Sequence, residues 1–418
     1  MLRLPDEADR GRGSAVRTAE PAALRNSGGG PGRATFLELF FDLVYVFALT
    51  RISARAFEDL ALEDGQVGWA AVTGGGKTLL LLLALWGVWQ GTAWTTSRYD
   101  PHHLWLQIIV ITALISAMVM GVAVPRAFGH SGLMFATAYV VAQVSRPAIL
   151  MLVLRKVQYR RLKLRMLITF AVTGVLWLAG ALLPVNARVV LWGTAMLLEY
   201  LGGRFGWPVP GLGRSTVSRW DIHGEHLAER YQQIFLVALG ETILLAGLSF
   251  TRSPTSPGMV TAFAVALATS VLLWRIYVQR AGQILGEAVT RAAHPATVGR
   301  SAADTHLVMV IGVVATAIGY ELVIEHPIGH NELPWLAMIL GGPALFLAGR
   351  ARFEYEVFGR VSPSRLVGIA ALLLPVPLLV RLAPLVAAGF AAAVLTAVAV
   401  ADARRAWGRP PEDAAPPF

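Results

Sequence analysis

A chain of 418 residues in which 55% of side chains are apolar and only 15% charged, with mean hydropathy +0.58, falls outside the composition of water-soluble domains, where about 25% of residues are charged. The absence of cysteine excludes disulfides, thiolate metal centres, iron–sulfur clusters and cysteine nucleophiles. The net charge of +10 sits on arginines in short loops between apolar runs, which ties it to membrane orientation and gives no nucleic-acid site.

Residues 1–35 are rich in Gly, Arg, Ala and Pro and lack the continuous apolar stretch of a signal peptide, so a disordered cytoplasmic tail is expected there. Apolar runs then predict an all-α polytopic transmembrane bundle of about ten to twelve spans, near 36–56, 69–97, 103–124, 131–154, 166–184, 187–203, 227–250, 257–279, 303–324, 334–349, 366–380 and 384–402. Pro375, Pro377, Arg381 and Pro384 interrupt the last two, leaving a kinked hairpin and a single broken helix as alternatives. Most of the 36 basic residues fall in segments that are cytoplasmic if the N-terminus is inside, the densest cluster being Arg155, Lys156, Arg160, Arg161, Lys163 and Arg165. Both termini are therefore expected in the cytoplasm, with 403–418 as a C-terminal tail. The polar interruptions are too short to house a soluble catalytic domain, so function belongs to the membrane part.

Ionisable side chains within spans are costly and need a partner, water or the interface. In the first span Glu38, Asp42 and Tyr45 share one stripe. Two carboxylates so placed repel: either one takes a proton or a cationic partner, as in a cation or proton site, or Glu38 stays hydrated at the boundary while Asp42 pairs with an arginine from another helix. The run Gly74-Gly-Gly-Lys77-Thr78 imitates the end of a phosphate-binding loop, but Ala71 stands where glycine is required and no strand precedes it. Its glycines are read as a flexible outward loop, and His102-His103 as an interfacial turn. Gln143, Arg146, Glu199 and Arg275 are read mainly as pairing residues, the two arginines as counter-charges.

Asp221, His223, Glu225 and His226 lead into the seventh span, which continues with Glu229, Arg230 and Gln233 and carries Glu241 deeper. His226, Glu229, Arg230 and Gln233 fall on one helix face, where an arginine clamps a carboxylate or phosphate and a histidine or glutamate exchanges protons. The same residues also fit a cytoplasmic helix start with acids near its positive dipole end. No metal or cofactor is assigned, because the spacing matches neither HExxH nor a ferritin-like ExxH. Glu241, about four turns into its span, is the strongest candidate for a buried functional carboxylate, and Glu321 in the ninth span is held as a further site member.

Three places recur in order between the two halves. Glu38-Leu-Phe-Phe-Asp42 answers Glu229-Arg-Tyr-Gln-Gln233, His103-Leu104 answers His306-Leu307, and Phe128-Gly-His130 answers Ile328-Gly-His330, each separated by about 200 residues. The expected organisation is a six-helix repeat over 36–206, a cytoplasmic linker over 207–226 and a second repeat over 227–402, the two parallel because six is even.

Two strings carry a family resemblance: Glu38-Leu-Phe-Phe-Asp-Leu-Val-Tyr-Val-Phe-Ala-Leu-Thr50, and His226-Leu-Ala-Glu-Arg-Tyr-Gln-Gln-Ile-Phe-Leu-Val-Ala-Leu-Gly-Glu241. With Tyr99-Asp-Pro101, Val124-Pro-Arg-Ala-Phe-Gly129, His306 and Glu321, they make the chain resemble the bacterial low temperature requirement A family over about residues 36–325. Arg51, Arg126 and Gln232 depart from the pattern of that family. The resemblance implies a multi-pass inner-membrane protein and supplies no mechanism. The reading preferred from the residues is a secondary transporter or a proton- or cation-coupled carrier of a small solute, working in the lipid bilayer. Glu38, Asp42 and Glu241 would carry the proton or cation, and His226 and Arg230 would face the substrate. A membrane enzyme acting on a lipid or isoprenoid and a non-catalytic partner or stability factor are the alternatives; oligomeric state is not legible.

Overall fold

The computed structural model describes residues 33–60, 67–154, 157–215, 223–252, 255–410 and 412–417. Most of the expected N-terminal tail, Arg155, Lys156 and Asp221 lie outside the described residues. Fifteen α-helices follow one another: α1 (Phe36–Leu60), α2 (Val67–Thr96), α3 (Leu104–Ala123), α4 (Gly132–Val153), α5 (Val157–Leu182), α6 (Val185–Arg204), α7 (Gly224–Arg252), α8 (Pro257–Val278), α9 (Ala281–Arg291), α10 (Pro295–Glu325), α11 (Leu333–Ile339), α12 (Gly341–Phe358), α13 (Pro363–Leu373), α14 (Val376–Leu379) and α15 (Pro384–Ala406). Every apolar run read from the sequence is helical. Prolines fix several starts, at the first turns of α8, α10, α13 and α15, where the missing N–H costs nothing. Ser256 adds a side-chain cap to α8 by accepting from the Met259 N–H at 3.2 Å.

Among the described residues, nine helices are long and apolar enough to cross a membrane. Of the expected spans, α1 carries too many charged side chains to meet that measure, α6 is not apolar enough along its length, and Pro363–Leu379 is too short. The physical reason in α1 is that its polar residues face other helices, so that hydropathy along the chain underrates it. The proline-rich stretch resolves as a turn between two separate pieces, α13–α14 and α15. Its freed carbonyls are not left bare, since Asn331 Nδ2 donates to Leu379 O at 3.0 Å and to Leu382 O at 2.8 Å. Glycines 74–76, expected in a loop, lie inside α2. Gly74 is required there because a Cβ would come within 2.6 Å of the Asp59 carboxylate at the end of α1. The helix α9 was not expected; Leu285, Ala288 and Val289 bury its apolar side in the core.

Neighbouring helices pack in a repeated order. In the first half α1 meets α2 and α3, α3 meets α4, α4 meets α5 and α5 meets α6; in the second α7 meets α8 and α10, α10 meets α12, α12 meets α13 and α13 meets α15. The halves are joined through α1, which lies against α7 and α10. α10 and α12 approach closely, so that a Cβ on Gly312 would sit 2.5 Å from the Phe346 nitrogen and one on Gly342 2.6 Å from the Thr316 nitrogen. Gly312→Val is therefore expected to prise these helices apart and cost about 1–3 kcal/mol or more. Thermal unfolding of the purified protein checks this, with Gly389→Val, whose Cβ meets nothing within 4 Å, as the neutral control.

Candidate functional site

The first turns of α1 and α7 lie side by side and run parallel, because contacts advance together along both: Glu38 with His226, Asp42 with Arg230, and Thr50 with Glu241. The acidic stripe of α1 and the polar face of α7 thus become the two walls of one seam, with α2 closing it. Glu38, Asp42, His226, Arg230 and Glu241 are all buried.

At the seam's entrance Glu38 accepts from the Thr35 N–H at 2.8 Å and the Thr35 hydroxyl at 2.9 Å, which caps α1. His226 stands between α1 and α2, its Nε2 3.1 Å from Glu38 and its Nδ1 2.9 Å from the Ser97 hydroxyl. Glu229 accepts from the Ala34 N–H at 2.9 Å, and Gln233 reaches it at 3.4 Å. One turn further in, Arg230 holds Asp42 with two parallel bonds, Nη1 to Oδ2 at 2.7 Å and Nη2 to Oδ1 at 2.8 Å, and also gives Nη1 to Gln233 at 2.8 Å. Trp89 on α2 completes Asp42 by donating Nε1 to Oδ1 at 2.9 Å. Such a fork-to-fork pair is among the strongest charge-assisted arrangements, and here it is removed from water. Asp42 thus takes the arginine partner that was one of its two sequence readings. Arg230 already spends its fork on Asp42, so the pair acts as a clasp between α1 and α7. Trp89→Phe is expected to loosen the clasp by about 1 kcal/mol, the worth of one hydrogen bond, and a double-mutant cycle with Asp42→Asn measures it.

Deeper in the seam Glu241 is fully buried, with Oε2 2.8 Å from the Thr50 hydroxyl and Oε1 without a hydrogen-bond partner. Among the described residues no basic side chain pairs with it. Glu321, on α10, is not part of the entrance cluster: it faces the C-terminal part of α7, where Ser249 donates to Oε1 at 3.4 Å and Oε2 has no hydrogen-bond partner. The seam therefore holds the Asp42–Arg230 clasp near the first turns of α1 and α7 with Glu241 deeper, and Glu241 and Glu321 each carry an oxygen without a hydrogen-bond partner.

Trp89, Ser97 and Thr50 were not singled out in the sequence. A tryptophan among apolar neighbours and single hydroxyls in helices carry no periodic signal, and only the approach of α1 and α2 to α7 makes them partners. Arg275, read as a counter-charge, instead bonds Gln279 on its own helix. Arg146 bonds Gln143 at 2.6 Å and lies over the Phe170 ring. Among the described residues no group of three or more His, Asp or Glu is placed to hold a metal ion.

A family profile described as bacterial low temperature requirement A protein matches residues 33–400. A protein of Rhizobium meliloti (strain 1021), itself named uncharacterized, is 34% identical over 353 residues, which cover 84% of each chain. No solved structure matches the fold.

Proposed function

Because the chain belongs to the bacterial low temperature requirement A family, and Glu38, Asp42, His226, Arg230 and Glu241 are buried together along the seam between α1 and α7, we propose that it is a secondary carrier coupled to a proton or a small cation. The observation that carries this reading is Glu241: a carboxyl near the middle of a long apolar helix, bonded by the Thr50 hydroxyl, with Oε1 unfilled and, among the described residues, no counter-charge. An ionisable group in that setting is relieved by a proton or cation, and reversible relief is what coupling requires. Glu321 serves as the next acceptor toward the far side, and the Asp42–Arg230 clasp is the inner gate whose breaking lets α1 and α7 part.

The wider arrangement follows from the same reading. The protein spans a bacterial inner membrane about twelve times, with both termini cytoplasmic and two parallel six-helix repeats over 36–206 and 227–402. Support comes from the repeated order of helix neighbours and from the parallel course of α1 and α7, the first helices of the two proposed repeats. Support for orientation comes from the basic residues that crowd the loops on one side.

The test is electrical. Purified protein in a supported membrane is given a pH jump and then sodium and potassium jumps, and the expected result is a transient current for one of the three. Absence of current under every jump, with the protein still folded, overturns the carrier reading.

A further inference from the structure

The two halves differ in how their second and last helices pack. In the second half α8 lies firmly along α15, whereas their counterparts α2 and α6 barely touch. A cavity of about 1320 Å³ occupies the gap, bounded by α2, α4, α5, α6 and α10. On α2 it extends from Val72 to Thr95, a length of about 35 Å at the helical rise, enough to span the hydrocarbon thickness of a bilayer. Leu79 on α2 and Val190 and Leu197 on α6 line it and are themselves exposed, so the space opens sideways between these helices, where acyl chains lie.

Its charged end is unusual. Lys163 is only 8% exposed and lines the cavity; among the described residues no carboxylate or hydrogen-bond acceptor pairs with it, and its ammonium lies 5.9 Å from the Tyr99 ring. The Tyr99 hydroxyl, also at the cavity and buried, has no partner, and burial pushes it above its usual range so that it remains a proton donor. Arg98 stacks over Tyr159 at 4.9 Å with its Nε unfilled. Arg146 lies near enough for its charge, with that of Arg98, to act on Lys163. Its guanidinium fits only because residue 91 is glycine, where a Cβ would overlap it. The nearest acids are already engaged: Glu199 takes bonds from Tyr139 and Trp177, and Asp304 faces Arg204 and Arg300. Three basic side chains and a hydroxyl without a hydrogen-bond partner thus face a cavity whose two lining acids, Glu199 and Asp304, are held by other groups.

The geometry points to a binding site for an anionic phospholipid, its phosphate held by Arg98, Tyr99, Lys163 and Arg146 and its acyl chain lying in the apolar gap between α2 and α6. Like charges gathered in a low-dielectric space repel, and a phosphate among them removes that cost while completing the unfilled donors. The apolar length gives affinity that a free ion lacks. This site is separate from the α1–α7 seam and stands whether or not the protein is a carrier.

The test uses the full chain, delipidated in detergent, with binding followed by thermal stabilisation and by intact-complex mass. Phosphatidylglycerol is expected to bind and stabilise. Diacylglycerol of the same chains and inorganic phosphate alone are expected to do neither at equal concentration. Lys163→Gln is expected to weaken phosphatidylglycerol binding at least tenfold. Gly193→Phe, which adds bulk where a Cβ meets nothing within 4 Å, is expected to weaken it by filling the chain space while leaving the fold intact. Equal stabilisation by diacylglycerol or by phosphate, or wild-type affinity in folded Gly193→Phe, overturns the proposal.

Discussion

Arg230→Gln is expected to destabilise the protein by about 3–5 kcal/mol, the cost of leaving a buried carboxylate without its counter-charge. Asp42 is only 3% exposed and would keep a single donor, Trp89 Nε1, in place of three. The loss should appear as a lowered unfolding midpoint in detergent and as poor yield of folded protein. Adding Asp42→Asn in the same chain is expected to recover most of it, because two neutral amides at this spacing can bond one another and neither charge is stranded. The signature is thus strong non-additivity: each single change is severe and the pair mild. If the double variant is as unstable as the two single effects summed, the pair is not an energetically coupled clasp, and its role as the seam's gate falls with it.

Glu241→Gln is expected to do the reverse, sparing the fold and removing the activity. The amide keeps the shape of the carboxyl and still accepts from Thr50, while its NH2 group replaces an oxygen that has no partner. Unfolding midpoints should therefore match wild type or exceed it slightly, since an uncompensated buried carboxylate is exchanged for a neutral group. Coupled flux should fall at least tenfold, because an amide neither takes up nor releases a proton at working pH. Loss of stability without loss of flux would make Glu241 a packing residue.

The contrast between these two variants follows from features legible to different degrees in the sequence. The stripe of Glu38 and Asp42 and the face of His226, Glu229, Arg230 and Gln233 were readable because charges in apolar runs are few and helical spacing groups them. Their union was not readable, since nothing in the spacing says that α1 lies parallel to α7 or that Arg230 rather than another arginine meets Asp42. Glu241 was identified by depth alone, and depth survives folding. Glu321 was placed correctly in an apolar helix, but its separation from the entrance cluster depends on which face of α10 meets α7. Glycines 74–76 misled because glycine breaks helices in water. Within a membrane the backbone has no other hydrogen-bond partners, and Gly74 makes room for Asp59. The cavity had no signal at all: its charged end draws on Arg98, Tyr99, Arg146 and Lys163 from separate segments, and the gap exists only because α2 and α6 stand apart.

The central claim, that the seam between α1 and α7 is a coupling site built around Glu241, is tested most directly by proton flux in proteoliposomes carrying an internal pH dye. Wild type and Glu241→Gln are reconstituted at equal density, and an inward pH gradient is imposed with the membrane potential clamped by potassium and valinomycin. The account predicts internal acidification by the wild type well above protein-free vesicles and a rate near the protein-free level for the variant. Equal rates for wild type and variant, here and under imposed sodium and potassium gradients, would contradict it.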